Sequence, residues 1–137
     1  MTAGDIEVVR TWFEAHARGD MEAVLELTHP EIEVRPALVG GLEGRVYRGR
    51  DGLRDFLDDV DAIWTDFRIE VRELRDAGDA VIVLGHTWAE GRGGIVVDDP
   101  GGWLLGMSDG MIRDFRSFNT WEETLDAAGV DAGGESR

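Results

Sequence analysis

Residues 80–118 read AVIVLGHTWAEGRGGIVVDDPGGWLLGMSDGMIRDFRSF, and this stretch decides the fold. Its apolar runs and turn residues predict three long strands. Ala80–Trp88 is the first, turned by Glu90-Gly91-Arg92-Gly93-Gly94. Ile95–Met107 is the second, with Asp98-Asp99-Pro100-Gly101-Gly102 read as a bulge or bend within it. Ser108-Asp109-Gly110 leads into the third, Met111–Phe118. Asp-Gly between two apolar runs is the strongest short-range hairpin signal.

Before this stretch, the pattern is mainly helical. Asp5–Arg18 carries Ile6, Val9, Phe13 and Ala17 at helical spacing, with Trp12 and His16 four apart beside that stripe. Gly19 stops the helix, and Asp20 caps a second one, Met21–Thr28. Glu31–Pro36 alternates as a strand, and Ala37–Arg48 reads as a loop. The clearest helix follows Gly52: Leu53, Phe56, Leu57, Val60, Ile63 and Trp64 form one stripe, with an acidic run facing water. Phe67, Ile69 and Val71 alternate with Arg68, Glu70 and Arg72 as a further strand. Thr120 with Glu123 matches a capping box opening a helix over Trp121–Ala128. The chain reads as one domain over residues 1–137, with a core at 5–130 and a polar tail at 131–137. Helices first and strands later indicate an α+β fold, a curved antiparallel sheet with helices on one face. Such a sheet encloses a conical space suited to a small ligand.

Composition narrows the chemistry. There is no cysteine, hence no disulfide and no thiolate nucleophile. All fourteen basic residues are arginine, so Schiff-base chemistry on lysine is excluded. A net charge of −15 argues against nucleic acid and anionic membrane surfaces as partners. No apolar run approaches the roughly 20 residues that span a bilayer. The N-terminal residues lack the pattern of a signal peptide, and the expected location is cytoplasmic.

The order of elements, with segments 12–20, 29–36, 47–53 and 109–129, resembles the nuclear transport factor 2-like superfamily in its SnoaL-like, polyketide-cyclase-like branch. The resemblance spans about residues 5–130 and implies a cone-shaped, cystatin-like α+β barrel with three N-terminal helices and a short C-terminal one. It says little of chemistry, because one cone hosts many reactions and also non-catalytic binders. By this analogy Trp12, Val34, His86, Trp88, Trp103, Ser117 and Asn119 point into the cone, with Ile82, Leu84 and Phe115 in its wall. Where ketosteroid isomerases place a Tyr, an Asp base and an oxyanion-hole Asp, this chain has Trp12, Val34 and Trp103, so that mechanism is disfavoured.

Strand alternation groups Leu84, His86 and Trp88 on one face, and Phe115, Ser117 and Asn119 on another. It does not say which face is inside. His86 is the candidate acid–base group, since an imidazole titrates near neutrality; the plain alternative is a structural histidine in the wall. Trp12, Trp88 and Trp103, with Val34 and Phe115, are candidate ligand-wall residues, or simply core. Ser117 and Asn119 are candidate hydrogen-bonding anchors, or strand-end caps. His16 reads as a cap for the end of its helix. The three histidines show no metal-ligand spacing, and neither metal nor cofactor is expected. The expected ligand is a small hydrophobic cyclic or aromatic molecule. It would be turned over by a cofactor-independent lyase, isomerase or hydrolase, or simply held by a non-catalytic module. The absence of any inward carboxylate favours the latter. Ile112, Asp114, Arg116 and Phe118 are read as a mixed convex face of the last strand, and the resemblance implies a homodimer through that surface.

Overall fold

In the computed structural model, residues 2–37 and 44–129 are described. The elements run α1 (Thr2–Arg18), α2 (Met21–Glu26), β1 (Thr28–Arg35), β2 (Tyr47–Arg48), α3 (Gly49–Ile63), β3 (Trp64–Asp76), β4 (Ala80–Gly91), β5 (Val96–Ser108), β6 (Met111–Phe118) and α4 (Trp121–Ala128). The six strands form one open, curved sheet in the order β2-β1-β6-β5-β4-β3. No described helix is long and apolar enough to cross a membrane. The proposed tail at 131–137 lies outside the described residues.

Local chemistry sets most boundaries. Asp20 accepts a hydrogen bond from the Ala23 amide and starts α2. Thr120 accepts from the Glu123 amide and starts α4, which ends at Gly129 in the left-handed region. Four expectations are corrected. Trp64 opens β3 rather than closing the α3 stripe, because the backbone turns extended there. Tyr47–Arg48, inside the expected loop, pairs with β1 as a short strand. β1 runs parallel to β6, so the sheet is mixed rather than wholly antiparallel. Finally, Asp98–Gly102 forms no bulge: its register with β4 is unbroken, from Asp98 opposite Trp88 to Gly102 opposite Leu84. Pro100 is accommodated because β6 pairs with β5 only from Gly102 onward, leaving β5 singly paired at Pro100.

The concave face of the sheet packs on α1 and α3. Val9, Trp12, Phe13, Leu53, Val60, Val81, Val83, Leu105 and Phe115 share one buried core there. Trp12 and Phe115 lie 5.2 Å apart, and Phe13 and Trp103 lie 5.8 Å apart. Such aromatic pairs add about 0.5–1.5 kcal/mol each beyond their buried area. Trp12 is anchored at its polar end: its indole N–H donates to Thr28 Oγ1 at 3.1 Å, and that hydroxyl donates to the Val24 carbonyl at 2.7 Å. On the convex face, α4 covers a second, smaller cluster of Ile82, Leu84 and Leu125, with Leu104 and Trp121 beside it.

β3 and β4 approach most tightly at a slip in their pairing. The β3–β4 register slips between Val71 and Glu73, opposite Gly85. At Gly85 the Glu70 carbonyl occupies the place a Cβ would take, with the Val71 Cα 3.3 Å from that point. Only glycine lets the two backbones approach this closely. Gly85→Ala is therefore expected to destabilise the fold by about 1–3 kcal/mol, the range for overpacking a tight site. Urea unfolding of both proteins measures it, and an unchanged midpoint would refute the steric argument.

Candidate functional site

Side-chain size along the concave face creates a hollow. On β4 the inward residues shrink from Val81 and Val83 to Gly85, Thr87, Ala89 and Gly91. Gly101 sits beside them on β5. The end of β4 bearing the valines joins Val9, Trp12 and Phe13 of α1 in the main core. Beside the end bearing the small residues a cavity of about 850 Å³ remains. Trp12 and His16 of α1, Phe56, Leu57 and Val60 of α3, and Trp64 at the start of β3 form its helical side. Phe67, Ile69, Thr87, Val97, Asp99, Trp103, Phe115 and Ser117 line its sheet side, with Asn119 and Trp121 beyond the end of β6.

Of the residues expected at the site, Trp12, Trp103, Phe115, Ser117 and Asn119 line this hollow. Val34 is fully buried and paired with Phe115 in the core, but does not line it. His86 and Trp88 are corrected: they lie on the convex face with Ile82 and Leu84. The alternation that groups these four is real, but the opposite set, Val81, Val83, Thr87 and Ala89, faces the helices. His86 instead contacts the carboxylate of Asp98 on β5. Trp88 lies under the guanidinium of Arg68, 4.2 Å from its ring centroid. His86 is thus placed to bind a neighbouring strand, not a molecule in the hollow. The convex grouping of Ile112 with Asp114 and Arg116 also fails. The β5–β6 register slips between Gly106 and Met107, which turns Ile112 into the main core.

Two of the lining residues that were not anticipated bear on chemistry. His16 lies parallel to Trp12, with ring centroids 5.6 Å apart and an interplanar angle of 2°. Burial lowers its pKa from the usual 6.5, and the Asp61 carboxylate opposes that shift. The four-residue spacing of Trp12 and His16 was the available signal, since it puts both rings on one helix face. The second is Asp99, opposite Thr87 in the β4–β5 register and therefore on the concave face. The lining of the hollow does include a carboxylate, though a solvent-exposed one, contrary to the sequence reading. That reading failed because an assumed bulge breaks the alternation that would have turned Asp99 inward.

The remaining polar groups are few. Arg72 lines the hollow and is bonded to Glu70 at 2.7 Å. The indole N–H of Trp64 is shut off from solvent without a hydrogen-bond partner, an arrangement that costs about 1–3 kcal/mol. Among the described residues no three His, Asp or Glu side chains converge to hold a metal ion. The hollow can therefore hold a flat apolar body, offer hydrogen bonds from Thr87, Ser117 and Asn119, and present one neutral imidazole and one carboxylate.

Residues 9–115 match the SnoaL-like domain family. No curated protein matches the chain. Among solved structures, an NTF2-like protein from Burkholderia thailandensis E264 is 25% identical, with a TM-score of 0.77 over 93% of this chain and 95% of that one. TerC, co-crystallised with polyporic acid, is 22% identical, with a TM-score of 0.77 over 91% and 98%. A protein of ketosteroid isomerase-like fold from Catenulispora acidiphila DSM 44928, in complex with trimethylamine, is 18% identical, with a TM-score of 0.72 over 93% and 95%.

The burial of His16 has a measurable consequence. Its folded-state pKa lies below the unfolded 6.5, so between those values the unfolded chain binds more protons. Its contribution to stability is complete above pH 6.5 and is lost as pH falls through that window. We expect NMR titration to place the His16 imidazole below 6.5, and His16→Gln to flatten the stability–pH curve there. A titration at or above 6.5 would refute the burial argument.

Proposed function

The chain belongs to the SnoaL-like domain family, and from that premise we propose that it binds a small, hydrophobic, cyclic or aromatic molecule in the hollow under α1 and α3. The observation that carries this reading is the hollow itself. At about 850 Å³ it is large enough for a drug-sized ligand, and aromatic and aliphatic side chains dominate its lining. Trp103, Phe115 and Trp12 form an aromatic wall, and Ser117 and Asn119 are the polar anchors. Structures of similar fold carry polyporic acid in one case and trimethylamine in another, which is consistent with small-molecule occupancy of such a fold.

A second reading, a cofactor-independent lyase, isomerase or hydrolase, is favoured by one observation. His16 lines the hollow with its pKa lowered by burial, so a neutral imidazole is available to take a proton at neutral pH. In this reading His16, not His86, is the acid–base group, and Asp99 is the second titratable side chain. A homodimer through the convex face belongs to the same proposal. Asp114 and Arg116 of β6 remain on that face beside the area that α4 covers.

The neutral fluorophore N-phenyl-1-naphthylamine tests the binding reading. We expect one molecule to bind per chain with enhanced fluorescence, and Ile69→Trp, which fills the hollow, to abolish this while far-UV circular dichroism stays unchanged. Absence of binding to the wild-type protein, or binding that survives Ile69→Trp, would refute it.

A further inference from the structure

The charges around the hollow are unevenly balanced. Asp99 lines it from a solvent-exposed position and makes no ion pair or side-chain hydrogen bond among the described residues. Arg72, the cation in the lining, is already engaged by Glu70. His16 supplies no compensating charge, because burial favours its neutral form. Asp61 is close enough to His16 to act on it electrostatically. The whole chain carries a net charge of −15, which adds a negative field at the opening of any cleft.

The rest of the wall suits the same sign of charge. Trp64, Trp103, Phe56 and Phe67 line the hollow. Aromatic rings attract a cation through the negative faces of their π-systems, and more strongly where water is excluded. The chain uses this interaction elsewhere, holding Arg68 over Trp88 and Arg116 over Phe118. An anionic ligand, by contrast, would meet Asp99 with no unpaired cation among the described lining residues.

We propose that the molecule held in the hollow is an organic cation, a ring bearing a protonated or quaternary amine, with Asp99 as its counter-charge. This deepens the binding reading above and rests on it. The aromatic wall holds the hydrocarbon part and solvates the cationic nitrogen, and Asp99 sets the sign of charge accepted. A neutral molecule of the same shape keeps the apolar contacts but loses the charge selection, and an anion is disfavoured.

Phenyltrimethylammonium and tert-butylbenzene have nearly the same shape and differ by one charge, so they separate the two ideas. Isothermal titration of the wild-type chain, or displacement of N-phenyl-1-naphthylamine, should show the cation binding about tenfold more tightly, and benzoate more weakly than either. Asp99→Asn should bring the cation and its neutral counterpart within about twofold, leaving tert-butylbenzene unchanged. Raising the salt concentration should narrow the same gap. If tert-butylbenzene binds as tightly as the cation, or if Asp99→Asn leaves the preference intact, the charge assignment is overturned while the apolar binding site stands. If neither compound binds and the fluorophore does not bind either, both are overturned.

Discussion

The structure turns on a missing side chain. At Gly85 the backbone of β3 comes so close to β4 that a single methyl group would collide with the Glu70 carbonyl. This contact lies at the slip in register between Val71 and Glu73, where the sheet bends over its own concave face. The hollow lies among β3, the end of α3 and β6, with Phe67 and Ile69, Val60, and Phe115 and Ser117 in its lining. Gly91 repeats the device on a smaller scale: the ring of Trp64 lies 3.2 Å from where its Cβ would be.

The same strand that bends the sheet also divides it. Along β4, valines give way to glycine, threonine and alanine, so one strand serves as core at one end and as cavity floor at the other. The convex side of β4 follows an independent rule. Its Ile82 and Leu84 are covered by α4, while His86 and Trp88 meet charged partners on the flanking strands. One strand therefore packs against α4 on its convex face, while its concave face joins the main core at one end and borders the hollow at the other.

This division explains what was legible in the sequence. Helical spacing, Gly-rich turns and the Thr120 cap located nearly every element, because these signals are local. The face of a strand is not local. Leu84, His86 and Trp88 have the larger, chemically richer side chains, and the cavity lies on the side with almost none. A hollow is marked by small residues, which alternation arguments pass over. Asp99 was hidden by Pro100 and two glycines that read as a bulge, although an unpaired flank of β5 tolerates them as regular strand. His16 was visible four residues from Trp12, but its end-of-helix position suggested capping rather than stacking. The parallel partner of β1 could not be read at all, since nothing near Thr28–Arg35 names a strand some eighty residues away.

That distant partnership bears on how the chain is made. During synthesis β1 emerges early with only the two-residue β2 to pair with, and its other edge waits until β6 has left the ribosome. Until then the nascent chain displays an open strand edge, the feature through which unfinished sheets associate with one another. Closure of so long a loop is also slow. The helices that precede and follow β1 are therefore its natural shelter during translation, before the last strand arrives to complete the sheet.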